Sequence, residues 1–110
     1  MAGHIVVVGS LNMDLVVRSE RHPHPGETLL GSDFRTFPGG KGANQAVAAA
    51  KVGGIVSMVG RVGTDDFGAA LLANLAANGV NTATVVRDAE AASGVALITV
   101  SRDGQNTIVV

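Results

Sequence analysis

The chain contains no cysteine, which excludes a disulfide framework, a thiolate zinc site and a cysteine nucleophile. It also has no tryptophan or tyrosine, and only 3 phenylalanines among its 110 residues. Charged residues make up 15% and the formal net charge is −1. There is thus no basic footprint for nucleic acid and no acidic tail. No apolar run approaches the length of a membrane span. The opening Met1-Ala2-Gly3-His4 leads straight into Ile5-Val6-Val7-Val8, without a charged segment ahead of a long apolar one. That start predicts a cytoplasmic protein without a signal peptide.

What is present is small and apolar. There are 17 valines, 16 alanines and 15 glycines, and glycine is at about twice its ordinary frequency. Valine and alanine bury little area each, so stability must come from close backbone packing or from further chain.

The order of elements is legible. His4 to Val8 is a β-branched run expected to form a strand buried on both faces. Leu11 to Ser19 offers a second strand around Leu15-Val16-Val17. Glu20 to Gly26, with two prolines, is a loop. Thr28 to Phe37 reads as extended with one face exposed, ended by Pro38-Gly39-Gly40. Gly42 to Val52 is alanine-rich and predicts a helix closed at Gly53-Gly54. Ile55 to Val62 is a further buried strand. Thr64-Asp65-Asp66 caps a helix carrying Phe67, Leu71 and Leu75 on one face and ending at Asn78-Gly79. Thr82 to Arg87 is a short strand. Gly94 to Ser101 and Gln105 to Val110 flank Arg102-Asp103-Gly104, a hairpin signal. Helices between buried strands imply an α/β fold with a parallel sheet. The exposed strands, at about 14–37 and 94–110, read as a small second layer. Because the sequence stops inside the apolar Ile108-Val109-Val110, the expectation is a piece of a longer chain.

Three stretches can carry chemistry. Gly39-Gly40-Lys41-Gly42-Ala43-Asn44 is neither a Walker A loop, since Gly42 stands where Ser or Thr is needed, nor a dinucleotide fingerprint. Its glycines still permit close backbone approach, and free N–H groups at a helix start favour oxygen atoms. Lys41 and Asn44 can hydrogen-bond hydroxyls there. A plain loop-to-helix turn explains the same residues. Asn12-Met13-Asp14 follows the first strand, and residues i and i+2 of an extended chain point the same way. An amide and a carboxylate so placed suit sugar hydroxyls; a turn former capping its own backbone is the alternative. Gly63-Thr64-Asp65-Asp66-Phe67-Gly68 is read as helix capping. His4, His22 and His24 lack ligand spacing, so no metal site is expected.

Together these residues resemble the ribokinase branch of the PfkB family of carbohydrate kinases. The resemblance rests on Gly39-Gly40-Lys41-Gly42-Ala43-Asn44-Gln45-Ala46 followed in register by Gly53 and Gly63. It extends to Gly9-Ser10 with Asn12 and Asp14, to Pro25-Gly26-Glu27-Thr28, and to Ser93-Gly94-Val95-Ala96-Leu97-Ile98. Lys41-Gly42 stand where related fructokinases usually carry Ala-Pro. The resemblance covers the whole chain but only the opening part of a family member. It implies residues 1–110 of a ribokinase-like α/β/α sandwich with a small β-sheet lid, and a homodimer formed through that lid. It implies Asn12, Asp14, Gly40, Lys41, Gly42 and Asn44 as sugar-binding residues and Gly39-Gly40 as the hinge. The implied reaction is phosphorylation of ribose at its 5-hydroxyl by ATP, with Mg2+ and a monovalent cation. The family's catalytic base lies in a Gly-Ala-Gly-Asp segment that is not among these 110 residues. The base, the nucleotide site and the cation sites are therefore expected elsewhere, and the isolated chain is expected to be inactive. A fructokinase-like or nucleoside kinase of the same family, or a non-catalytic sugar-binding or dimerisation module, are the alternatives.

Overall fold

The computed structural model describes residues 3–110. They form β1 (His4–Val8), β2 (Asn12–Arg18), β3 (Asp33–Gly39), α1 (Lys41–Lys51), β4 (Ile55–Gly63), α2 (Asp66–Ala77), β5 (Val85–Asp88), β6 (Gly94–Val100) and β7 (Asn106–Val109). The chain divides into two compact units. The first holds the described residues through Met13 and Pro38–Gly94; the second holds Asp14–Phe37 and Val95–Val110.

The first unit is built on a parallel sheet ordered β1-β4-β5. β1 pairs with the first half of β4, from His4 opposite Ile55 to Val8 opposite Val59. β5 pairs with its second half, from Gly60 opposite Val85 to Gly63 opposite Asp88. α1 packs on β1 and β4, and α2 packs on β4 and on α1. Two helices that touch each other across one strand share one face of the sheet. Side chains alternate between faces along a strand, so Val56 and Met58 point together into the helix layer, where they are 2% and 0% exposed. They meet the layer that holds Ala43, Ala46, Leu71 and Leu75, all buried.

The opposite face is uncovered. It carries Val6 (58% exposed), Val8 (77%) and Ile55 (55%). The expectation that β1 is buried on both faces is therefore corrected. A β-branched run is compatible with burial on either face, but here both helices lie on one side. On the open face the His4 ring Nε2 and the Ser57 hydroxyl are 2.8 Å apart and hydrogen-bonded.

Helix ends follow their local chemistry. α1 closes at Gly53 (φ 97°) and α2 at Gly79 (φ 80°), the left-handed positions that glycine fills without strain. β5 starts later than the expected Thr82, because Val85 N–H donates to the Thr82 carbonyl in a turn at 3.0 Å.

The second unit is a sheet. The four strands order β3-β2-β6-β7, with β6 and β7 antiparallel from Leu97 opposite Val109 to Val100 opposite Asn106. The turn between them closes with Gly104 (φ 86°), as Asp-Gly predicts. Residues 28–32 are not strand, and β3 instead runs on through Pro38 to Gly39. Proline, which has no N–H to donate, is tolerated there because β3 is an edge strand. Among the described residues no helix is long and apolar enough to cross a membrane.

Candidate functional site

The first unit brings two glycine-rich segments into backbone contact. The turn Gly9-Ser10-Leu11 leaves the carboxyl end of β1, and α1 starts against it. A Cβ on Gly42 would lie 2.7 Å from Gly9 Cα and 2.8 Å from Ser10 N; a Cβ on Gly9 would lie 2.8 Å from Gly42 Cα. Neither position accepts any side chain without moving backbone. Gly40, the residue before the helix, has φ 100° and ψ 131°. A Cβ there would meet the Ser10 carbonyl oxygen at 2.5 Å and Leu11 Cα at 2.8 Å. Ala43 N–H donates to the Ser10 carbonyl at 3.0 Å, which ties the helix start to the turn. Below, Leu11 is buried, and Gly60 leaves the room its side chain occupies.

This contact fixes where the polar candidates stand. Lys41 and Asn44 are exposed on the first turn of α1, a turn that carries no acidic residue. Gly42 is buried and Gly40 half-buried, and Gly39 ends β3 as a buried residue. Asn12 follows the turn at the start of β2, half-buried, with its side-chain oxygen lying against Gly94 where a Cβ would stand. Among the described residues the side chains of Asn12, Lys41 and Asn44 make no hydrogen bond. Amide, ammonium and helix-start N–H groups left free in this way suit hydroxyl and other oxygen atoms. Asp14 belongs to the second unit. It is half-buried on β2, and buried Met13 stands between it and Asn12 in the alternation of that strand.

A shallow open depression of ≈ 610 Å³ starts at Asn12 and Gly94 and runs over Val8, Val59 and Val86. Its floor is the uncovered sheet face.

The Thr64-Asp65-Asp66 cluster is a cap, as its sequence indicates. Asp65 is the N-cap of α2 and accepts from Gly68 N–H at 2.8 Å. It does more than cap. Its other oxygen accepts from Ser93 N–H at 2.8 Å, and the Ser93 hydroxyl donates to the first at 2.6 Å. The Ser93 oxygen in turn accepts from Gly63 N–H at 2.9 Å. These donors, the Ser93 hydroxyl first, hold the Asp65 carboxyl at about 2, well below the usual carboxylate range. Ser93 was not legible as a partner: 28 residues separate it from Asp65, and no periodicity spans that gap.

The other charged clusters belong to the second unit. Arg21 donates to both carboxylate oxygens of Glu27, at 2.7 and 2.6 Å. That fork, helped by His24 N–H, holds the Glu27 carboxyl at about 2. His22 Nε2–H donates to the Gln105 carbonyl at 3.2 Å. The three histidines do not gather: among the described residues no three His, Cys, Asp or Glu come together to hold a metal ion.

A parallel sheet with helices on one face, and a glycine-locked turn beyond the carboxyl end of its first strand, defines an α/β protein of the kind that binds small molecules at strand ends. The particular family follows from comparison with known proteins. The chain belongs to the pfkB family of carbohydrate kinases, whose pattern it matches over residues 2–110. It is 54% identical over 107 residues to the ribokinase of Bacillus subtilis (strain 168), covering 97% of the chain and 36% of that protein. It is 46% identical over 110 residues to the ribokinase of Lactococcus lactis subsp. lactis (strain IL1403), covering 96% and 35%. Its fold is similar to the solved structure of Arabidopsis thaliana ribokinase complexed with ribose and ATP. That match has a TM-score of 0.86 at 39% identity, and covers 99% of the chain and 36% of that structure. The chain thus spans about a third of the length of the relatives it matches.

Proposed function

We propose that the whole protein transfers the γ-phosphoryl group of ATP to the 5-hydroxyl of ribose, and that this chain supplies part of the sugar site. The observation that carries the reading is the backbone contact of Gly9-Ser10 with Gly40 and Gly42, which leaves Asn12, Lys41 and Asn44 with free polar groups. Asn12 and Asn44 can each donate to and accept from a hydroxyl, and Lys41 can donate to a sugar oxygen. The N–H groups around Gly40 and Gly42 favour oxygen at the helix start. Asp14 is assigned a pair of hydroxyls by its place in the motif. The glycine contacts fix the backbone that carries Asn12, Lys41 and Asn44, so less of it has to be ordered on binding.

The second unit is assigned the part of a lid that excludes water from the transfer, with Gly39-Gly40 as its hinge. Pairing of two copies through that unit suits the apolar side chains it exposes, Phe34, Phe37, Leu97 and Ile108 among them. ATP is the co-substrate of this reading. Mg2+ and a monovalent cation are assigned to the rest of the whole protein; among the described residues no three His, Cys, Asp or Glu come together to hold a metal ion. No base is assigned to it either; Asp14 is suited to gripping hydroxyls, and Asp65 is occupied by Ser93 and Gly68.

A coupled kinase assay of the full-length protein with ribose, fructose and adenosine tests the reading. The expected result is the highest kcat/KM for ribose. A strong preference for fructose overturns the ribose assignment and leaves the family intact. Asp14→Ala is expected to weaken ribose binding by more than about tenfold, because the sugar loses a charged hydrogen-bond partner. Unchanged affinity removes Asp14 from the site.

A further inference from the structure

We infer that Asp65 and Ser93 are positioning residues for Asn12, a role that rests on the sugar-site reading above and deepens it. The chain of contacts lies wholly within the first unit. Asp65 takes both donors of Ser93, its N–H at 2.8 Å and its hydroxyl at 2.6 Å. The Ser93 oxygen takes Gly63 N–H at 2.9 Å, which pins it to the end of β4. Ser93 is buried, with 6% of its surface exposed. The backbone entering β6 is therefore clamped at Ser93 from the α2 cap and from β4.

The next residue is Gly94, and the Asn12 side-chain oxygen rests against it. A Cβ at position 94 would also lie 3.3 Å from the Leu11 carbonyl oxygen. The Asn12 amide thus sits in the space that the missing Gly94 side chain leaves. Among the described residues no hydrogen bond holds that amide, so packing against a clamped backbone sets its orientation. The carboxylate matters for reach: it serves Gly68 N–H and both Ser93 donors at once, which a capping hydroxyl cannot do.

The test separates capping from positioning. Asp65→Ser keeps an N-cap acceptor for Gly68 but gives up the two bonds to Ser93. Ser93→Ala keeps the Asp65 cap and removes the hydroxyl. Both are made in the full-length protein labelled with 15N-asparagine. Two quantities are read: the Asn12 side-chain amide signal, and kcat and KM for ribose and for ATP. The expected result is a shifted Asn12 signal and a ribose KM raised about tenfold in each variant, the cost of a displaced binding group. The kcat and the KM for ATP stay as in the parent. An unmoved Asn12 signal and unchanged ribose KM in both variants overturn the inference. So does an Asn12 signal and a ribose KM in Asp65→Ser that match the parent, which reduces Asp65 to a helix cap. If the parent protein does not phosphorylate ribose, the substrate reading falls and the Asn12 signal still decides the positioning role.

Discussion

Buried apolar residues are distributed unevenly between the two units. Met58, Leu71 and Leu75 are closed off from solvent in the first unit, while Ala96 is the one apolar residue of the second that is buried among the described residues. Charge runs the other way. Among the described residues Arg21–Glu27, Arg35–Asp33 and Arg102–Glu20 pair in the second unit, and Arg61–Asp88 alone pairs in the first. Both units are rich in valine, leucine and isoleucine, so composition does not explain the contrast. Layering does. A sheet covered by helices buries one face of every strand, whereas a single sheet has no second layer to bury anything against. Leu97 and Val109, on neighbouring strands of the second unit, remain 54% and 67% exposed. Exposed ion pairs contribute little to stability in place of a core.

Four measurements would break or sharpen that contrast. The largest effect is expected in the helix layer. Leu71, 1% exposed, has no room to be replaced by a smaller residue without a cavity, and Leu71→Ala should cost about 2–5 kcal/mol in urea unfolding. Next is the glycine contact. Gly42→Ala places a methyl 2.7 Å from Gly9 Cα, and should cost about 3 kcal/mol, the upper part of the usual overpacking range. A loss much smaller than this would show that the turn yields.

Acid should then act on each unit through a different carboxylate. Asp65 and Glu27 are both held at about 2, below their ordinary value of about 4. A lowered folded value means stability that is present above the ordinary range and lost as pH falls toward 2. Asp65→Asn should flatten this acid transition for signals of the first unit, and Glu27→Gln for those of the second. If Glu27→Gln flattens both, the units do not respond separately. The smallest effect is expected at Leu97, where Leu97→Ala should stay within about 0.5 kcal/mol in the same urea experiment. A loss approaching that of Leu71 would mean that the exposed sheet is covered in solution.

The helices and their caps were the most legible part of the fold. Asp65, Gly53 and Gly79 mark their places by local chemistry, and local chemistry is what a sequence displays. The Gly39-to-Asn44 stretch was legible as a glycine-rich helix start for the same reason. The clamp of Gly9 on Gly42 and of Asp65 on Ser93 was not, because each joins residues about 30 positions apart and depends on where whole elements pack. The openness of one face of β1 was hidden in another way. Ile5 and Val6 are interchangeable in propensity, yet they face opposite sides of the sheet, and only the packing of the helices decides which side is covered.

The pairing of β1 with β4 has a kinetic consequence. Residues 4 and 55 lie side by side in a parallel ladder, and the whole of the second unit's first segment, Asp14–Phe37, is strung between them. Closing a loop of that length costs entropy before the ladder returns any of it, and such non-local pairings set slow folding rates. α1 and α2 are local and can form early. The parallel ladder cannot, so its two strands must find each other late, with the intervening segment already looped out of the way.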